Sequence, residues 1–125
     1  MLFASHATLG APQPAGTPLQ SFILEFVLTW FLMFVVLNVS TGAKEKGITA
    51  GIAVGGVIAL EALFAGPICG ASMNPARSLA PALVSCQLAH LWIYLLAPVL
   101  GAYAAVWTCR CVQESNCCQA AADSV

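Results

Sequence analysis

Gly66-Pro67-Ile68-Cys69-Gly70-Ala71-Ser72-Met73-Asn74-Pro75-Ala76-Arg77-Ser78 places Gly, Pro, Asn and Arg inside a sequence whose surroundings read as membrane-embedded. Asn74 followed by Pro75 is a helix start. Asn suits the N-cap, and Pro at the first helical position has no N–H to leave unpaired. The apolar run at residues 76–84 would extend only about 15 Å at 1.5 Å per residue, roughly half a bilayer core. The spacing therefore predicts a short helix from Pro75 that enters a membrane without crossing it.

Irregular backbone ahead of such a half-helix is tolerated at membrane depth only where it is packed in protein or lines a water-filled cavity. The stretch thus reads as part of a pathway. A helix N-terminus carries partial positive charge, and Arg77 adds a full one, so cations and protons should be repelled there. The Asn74 amide can donate to a neutral solute, while Cys69, Gly70, Ser72 and Met73 are candidates to line the approach with backbone carbonyls.

The rest of the composition agrees. Of 125 residues, 60% are hydrophobic and 7% charged, with a mean hydropathy of +0.89, which points to an all-α integral membrane protein in contact with lipid. Four Lys and Arg against a net charge of −1 give no electrostatic case for nucleic acid. No basic segment precedes an early apolar one, so insertion is expected to rely on the spans themselves.

Residues 1–19 hold Gly10, Pro12, Pro14, Gly16 and Pro18 and read as an extended loop. Three spans are expected at residues 20–38, 48–65 and 91–108, with the re-entrant segment at 66–84 between the last two. Lys44 and Lys46 in the first connection and Arg110 after the third span mark the cytoplasmic side. The N-terminus is then outside and the C-terminus cytoplasmic. Gly47, Gly51 and Gly55 fall at four-residue intervals on one face of the second span, and Gly101 and Ala105 do so on the third, where another helix could approach closely. Trp92, Tyr94, Tyr103 and Trp107 lie toward the ends of the third span, as interfacial aromatics do.

Two carboxylates lie within spans. Glu25 either points inward to accept from backbone donors or snorkels to the interface; Glu61 either bonds within a vestibule or reaches the interface. Residues 109–125 form a Cys-rich tail with Cys109, Cys111, Cys117 and Cys118. As thiolates these could hold a soft metal or metalloid, although their spacing matches no standard zinc pattern; juxtamembrane acylation or no role are the other readings. No metal site and no cofactor are expected.

Asn74-Pro75-Ala76-Arg77-Ser78 resembles the second Asn-Pro-Ala signature of the aquaporin (major intrinsic protein) family, and the longer run from Gly66 to Leu79 resembles its nodulin-26-like branch and related bacterial channels. The likeness covers nearly the whole chain but only the family's second half, since Asn-Pro-Ala occurs once. The resemblance implies one aquaporin-like repeat: three transmembrane helices plus one re-entrant half-helix, occupying residues 20–108. It also implies that residues 9–21 are an external loop and that Glu25 braces the re-entrant segment. The narrowest point of the family's pore has four lining residues, of which Arg77, Ala71 and Ala62 would be three. Two alanines there suggest an opening suited to glycerol, urea or undissociated metalloid acids as well as water.

The function so implied is passive permeation in a multi-pass cell-membrane channel, with no enzyme chemistry. A family pore needs two half-helices meeting near the midplane. The expected partner is accordingly a complementary half or an inverted second copy, with a homo-oligomer, the family's tetramer, when complete. The competing reading is a truncated, non-conducting membrane polypeptide that only pairs with other subunits. A secondary transporter is the third, because broken helices also mark those sites.

Overall fold

A computed structural model of the chain describes residues 10–41 and 48–112. It is all-helical there: α1 (Pro18–Thr41), α2 (Ile48–Cys69), α3 (Pro75–Ser85) and α4 (Leu91–Val112). Three segments, Pro18–Ser40, Thr49–Cys69 and Leu91–Val112, are long and apolar enough to cross a membrane. At 11 residues, α3 extends about 16 Å, far short of a bilayer core of about 30 Å. The described residues thus form three candidate spans with one half-helix between the second and third.

Each long helix outruns the span expected for it. α2 continues through Gly66 and Pro67 to Cys69, because a proline deletes one backbone hydrogen bond without ending a helix that neighbours hold in place. The ladder resumes at once, with Gly70 N donating to Gly66 O at 2.9 Å. α4 runs to Val112, so Cys109 and Cys111 are helical rather than part of a tail. Cys109 is buried and Cys111 exposed, while Cys117, Cys118 and the Lys44–Lys46 turn lie outside the described residues.

α1 is the middle helix, packed against α4 on one side and α2 on the other, and α3 leans on α4. The α1–α4 seam follows from sequence. Ile93, Ala97, Gly101, Ala105 and Cys109, each four residues apart, are all buried, and small residues at that spacing let helix backbones close up. Gly101 is the tightest point: a Cβ there would meet the Phe26 carbonyl oxygen and come within 3.0 Å of Trp30 N. Trp30 Nε1 donates to Thr108 Oγ1 at 3.0 Å toward one end of the seam, and Phe22 stacks on Trp92 toward the other.

The glycine face of α2 is different. Nothing lies within 4 Å of a Cβ built at Gly51 or Gly55, and Gly47 lies outside the described residues. No described helix fills that groove. Trp92, Tyr103 and Trp107 are exposed, as interfacial aromatics should be, but Tyr94 is 1% exposed and does not belong with them. Residues 10–17 fold back over the end of α2, where Ala15 N donates to Ile68 O.

Candidate functional site

The turn between α2 and α3 is built from left-handed backbone. Gly70, Ala71 and Met73 have φ of +90°, +41° and +52°, a conformation that disfavours a residue with a Cβ by about 1–2 kcal/mol. Gly70 is required twice over, since a Cβ there would also lie 2.6 Å from Pro12 Cβ. Such a turn needs a specific partner to hold it.

That partner is Glu25, fully buried on α1. Its Oε1 accepts from Ser72 N at 2.8 Å and its Oε2 from Met73 N at 2.9 Å. Consecutive N–H groups converging on one anionic group form a backbone nest. Bonds of this charge-assisted kind contribute about 1.5–3 kcal/mol each, enough to offset the left-handed residues. The geometry has a further consequence. No peptide bond here is cis, and in a trans peptide the C=O points opposite to the N–H. With the Ser72 and Met73 N–H groups aimed at α1, the carbonyls of Ala71 and Ser72 point away from it.

α3 begins as its sequence dictates. Asn74 is the N-cap in extended conformation, and its Oδ1 accepts from Ala76 N at 2.9 Å and Arg77 N at 3.4 Å, with Pro75 at the first helical position. Because the cap uses the amide oxygen, both amide N–H donors of exposed Asn74 remain available to something outside. Ser72 Oγ donates to Asn74 O and is paired with Ser78 Oγ, tying the turn to the first turn of α3. Cys86, left-handed at φ 57°, closes the far end.

Arg77 is exposed, and among the described residues its guanidinium has no hydrogen-bond or ion-pair partner. Asn74, Ala76, Arg77 and Ala62 are all exposed. Ala71 is not: it is 2% exposed and packs with Leu28, Ala65, Cys69 and Met73. Its methyl is thus part of the core rather than of an open wall beside Ala62. Cys69 also departs from expectation. It is the last residue of α2 instead of part of the loop, and its carbonyl already accepts from Tyr94 Oη at 2.6 Å. Gly70, Ser72 and Met73 do lie in the turn. Glu61 is 3% exposed, and its Oε2 lacks a hydrogen-bond partner among the described residues.

The bond from Tyr94 to the Cys69 carbonyl and the pairing of the Ser72 and Ser78 side chains escaped the sequence reading. The four-residue stripe on α4 was a usable signal for Tyr94, which stands next to Ile93 on it. Behind α3, a cavity of about 180 Å³ is lined by Gln13, Ser78, Gln87, His90 and Tyr94 among others.

The family model described as Major intrinsic protein matches residues 3–109. Aquaporin NIP1-4 of Oryza sativa subsp. japonica is 50% identical over 107 residues, covering 86% of this chain and 39% of the relative. Nodulin-26 of Glycine max is 46% identical over 116 residues, 93% of this chain and 43% of the relative. For Aquaporin NIP1-2 of Arabidopsis thaliana the identity is 46% over 111 residues, with 89% and 38% covered. The chain spans about two fifths of the length of these curated relatives. With a family match over most of its length and a nest-held turn leading into an Asn-capped half-helix, this chain belongs to the major intrinsic protein family, the aquaporins.

Proposed function

We propose that this chain contributes one half of a passive membrane pore for water and small uncharged solutes. The observation that carries the reading is the start of α3, where Asn74 spends its amide oxygen on the cap and keeps its N–H donors outward beside the exposed Arg77. A neutral permeant exchanges water for the Asn74 amide and for the turn carbonyls, while the helix dipole and the guanidinium repel cations. No bond is made or broken. Its relatives, aquaporins and a nodulin by name, support this class of function.

Ala62 on the open face offers only a methyl, which favours solutes of the size of glycerol, urea or an undissociated metalloid acid. Asn74, Arg77 and the α2 glycines are exposed where the chain is apolar enough to be in lipid. A polar group left unsatisfied there costs several kcal/mol. The same exposure therefore favours a complementary half or an inverted second copy as partner, in a homo-oligomer when complete, and a non-conducting state for the chain alone. Cationic Arg110 favours a cytoplasmic C-terminus and an outside N-terminus, as in a channel of the cell membrane.

The test is Arg77→Val in a complex of this chain with the complementary half of Nodulin-26. The unmodified complex should pass water without cation current, and the variant should keep most of the water flux while admitting protons or small cations under voltage clamp. A complex that passes no water overturns the reading. A variant that folds and stays cation-tight removes the selectivity role from Arg77.

A further inference from the structure

We propose that Tyr94 is a positioning residue for the solute-facing turn, acting through the Cys69 carbonyl. Three peptide units between Cys69 and Met73 have their orientation fixed by named partners. Glu25 holds two of them by accepting from Ser72 N and Met73 N. The third joins Cys69 to Gly70: its N–H donates to Gly66 O, and its carbonyl accepts from Tyr94 Oη at 2.6 Å.

Tyr94 thus fixes the last helical peptide of α2, from which the left-handed turn departs, and Glu25 fixes the turn itself. The two anchors stand on α4 and α1, helices locked together at Gly101. A rigid seam therefore holds a turn that its own backbone conformation disfavours. Packing alone does not require the hydroxyl, because a Phe ring would fill the same space. The hydroxyl is needed where the direction of the Cys69 carbonyl matters. Left without its donor, that carbonyl is a buried acceptor with lone-pair capacity to spare, and the route to relieving it is rotation of the peptide that starts the turn.

The transport arm of this proposal rests on the pore reading above; the exchange arm does not. In the full chain reconstituted in nanodiscs, amide hydrogen exchange is compared for wild type, Tyr94→Phe and Thr108→Val. The last removes the acceptor of the Trp30 indole, a polar tie between α1 and α4 remote from the turn. Tyr94→Phe should speed exchange at Gly70, Ser72 and Met73 by about tenfold or more, with Thr108→Val leaving those amides unchanged. Unchanged protection in Tyr94→Phe overturns the positioning role whether or not the chain conducts, and so does equal loosening by Thr108→Val. In the complex with the complementary half of Nodulin-26, Tyr94→Phe should shift the glycerol-to-water flux ratio by about threefold or more, with Thr108→Val at the wild-type ratio. An unchanged ratio in a conducting complex overturns the effect on specificity, whereas no water flux from the unmodified complex counts against the pore reading itself.

Discussion

The α1–α4 seam and the glycine face of α2 carry the same sequence pattern and have opposite fates. Gly101 and Ala105 sit four apart on α4 and are buried against α1, so closely that one added methyl would strike backbone. Gly51 and Gly55 sit four apart on α2 and meet nothing within 4 Å. Spacing of small residues reports that a helix can come close; it does not report which chain supplies it. In this molecule one seam is satisfied internally, and the other lies on the helix that carries exposed Ala62.

The largest expected effect comes from treating the two seams alike. Gly101→Val should separate α1 from α4 and cost at least about 3 kcal/mol, read as loss of monodisperse folded protein in detergent. Gly55→Val should leave the stability of the chain within about 0.5 kcal/mol, because its surroundings are open, yet reduce pull-down of the complementary half. Equal destabilisation by both would erase the contrast.

A smaller effect is expected at Glu25, the link between the closed seam and the open turn. Glu25→Gln keeps one acceptor oxygen but turns an N–H donor toward a backbone N–H, so about 2–3 kcal/mol should be lost in thermal unfolding of the chain. Restoring the loss with Glu25→Asp is not expected, since the shorter side chain cannot reach both Ser72 N and Met73 N. A neutral outcome for Glu25→Gln would mean that the nest does not hold the turn.

The start of α3 was legible because its determinants are local: Asn74 caps N–H groups only two and three residues away. Residues 47 and 48 positions apart meet at Glu25. Periodicity could only say that this carboxylate must find donors, and the family resemblance pointed to the re-entrant segment. Tyr94 was misplaced among interfacial aromatics because nearness to a span's end says nothing of which way a side chain faces. The end of α2 was set too early, since Pro67 breaks one hydrogen bond locally while Tyr94 and Ala15 hold the final turn from a distance. For Ala71, likeness suggested a wall position and core packing took it inward.

Stopped-flow light scattering on proteoliposomes tests the central claim most directly, that the open face of this half is completed by a second one. Vesicles holding the 125-residue chain as demonstrated monomers should shrink at the rate of bare lipid, and vesicles holding it together with the complementary half of Nodulin-26 should show fast water flux. Fast water permeability from the monomers alone would contradict the account.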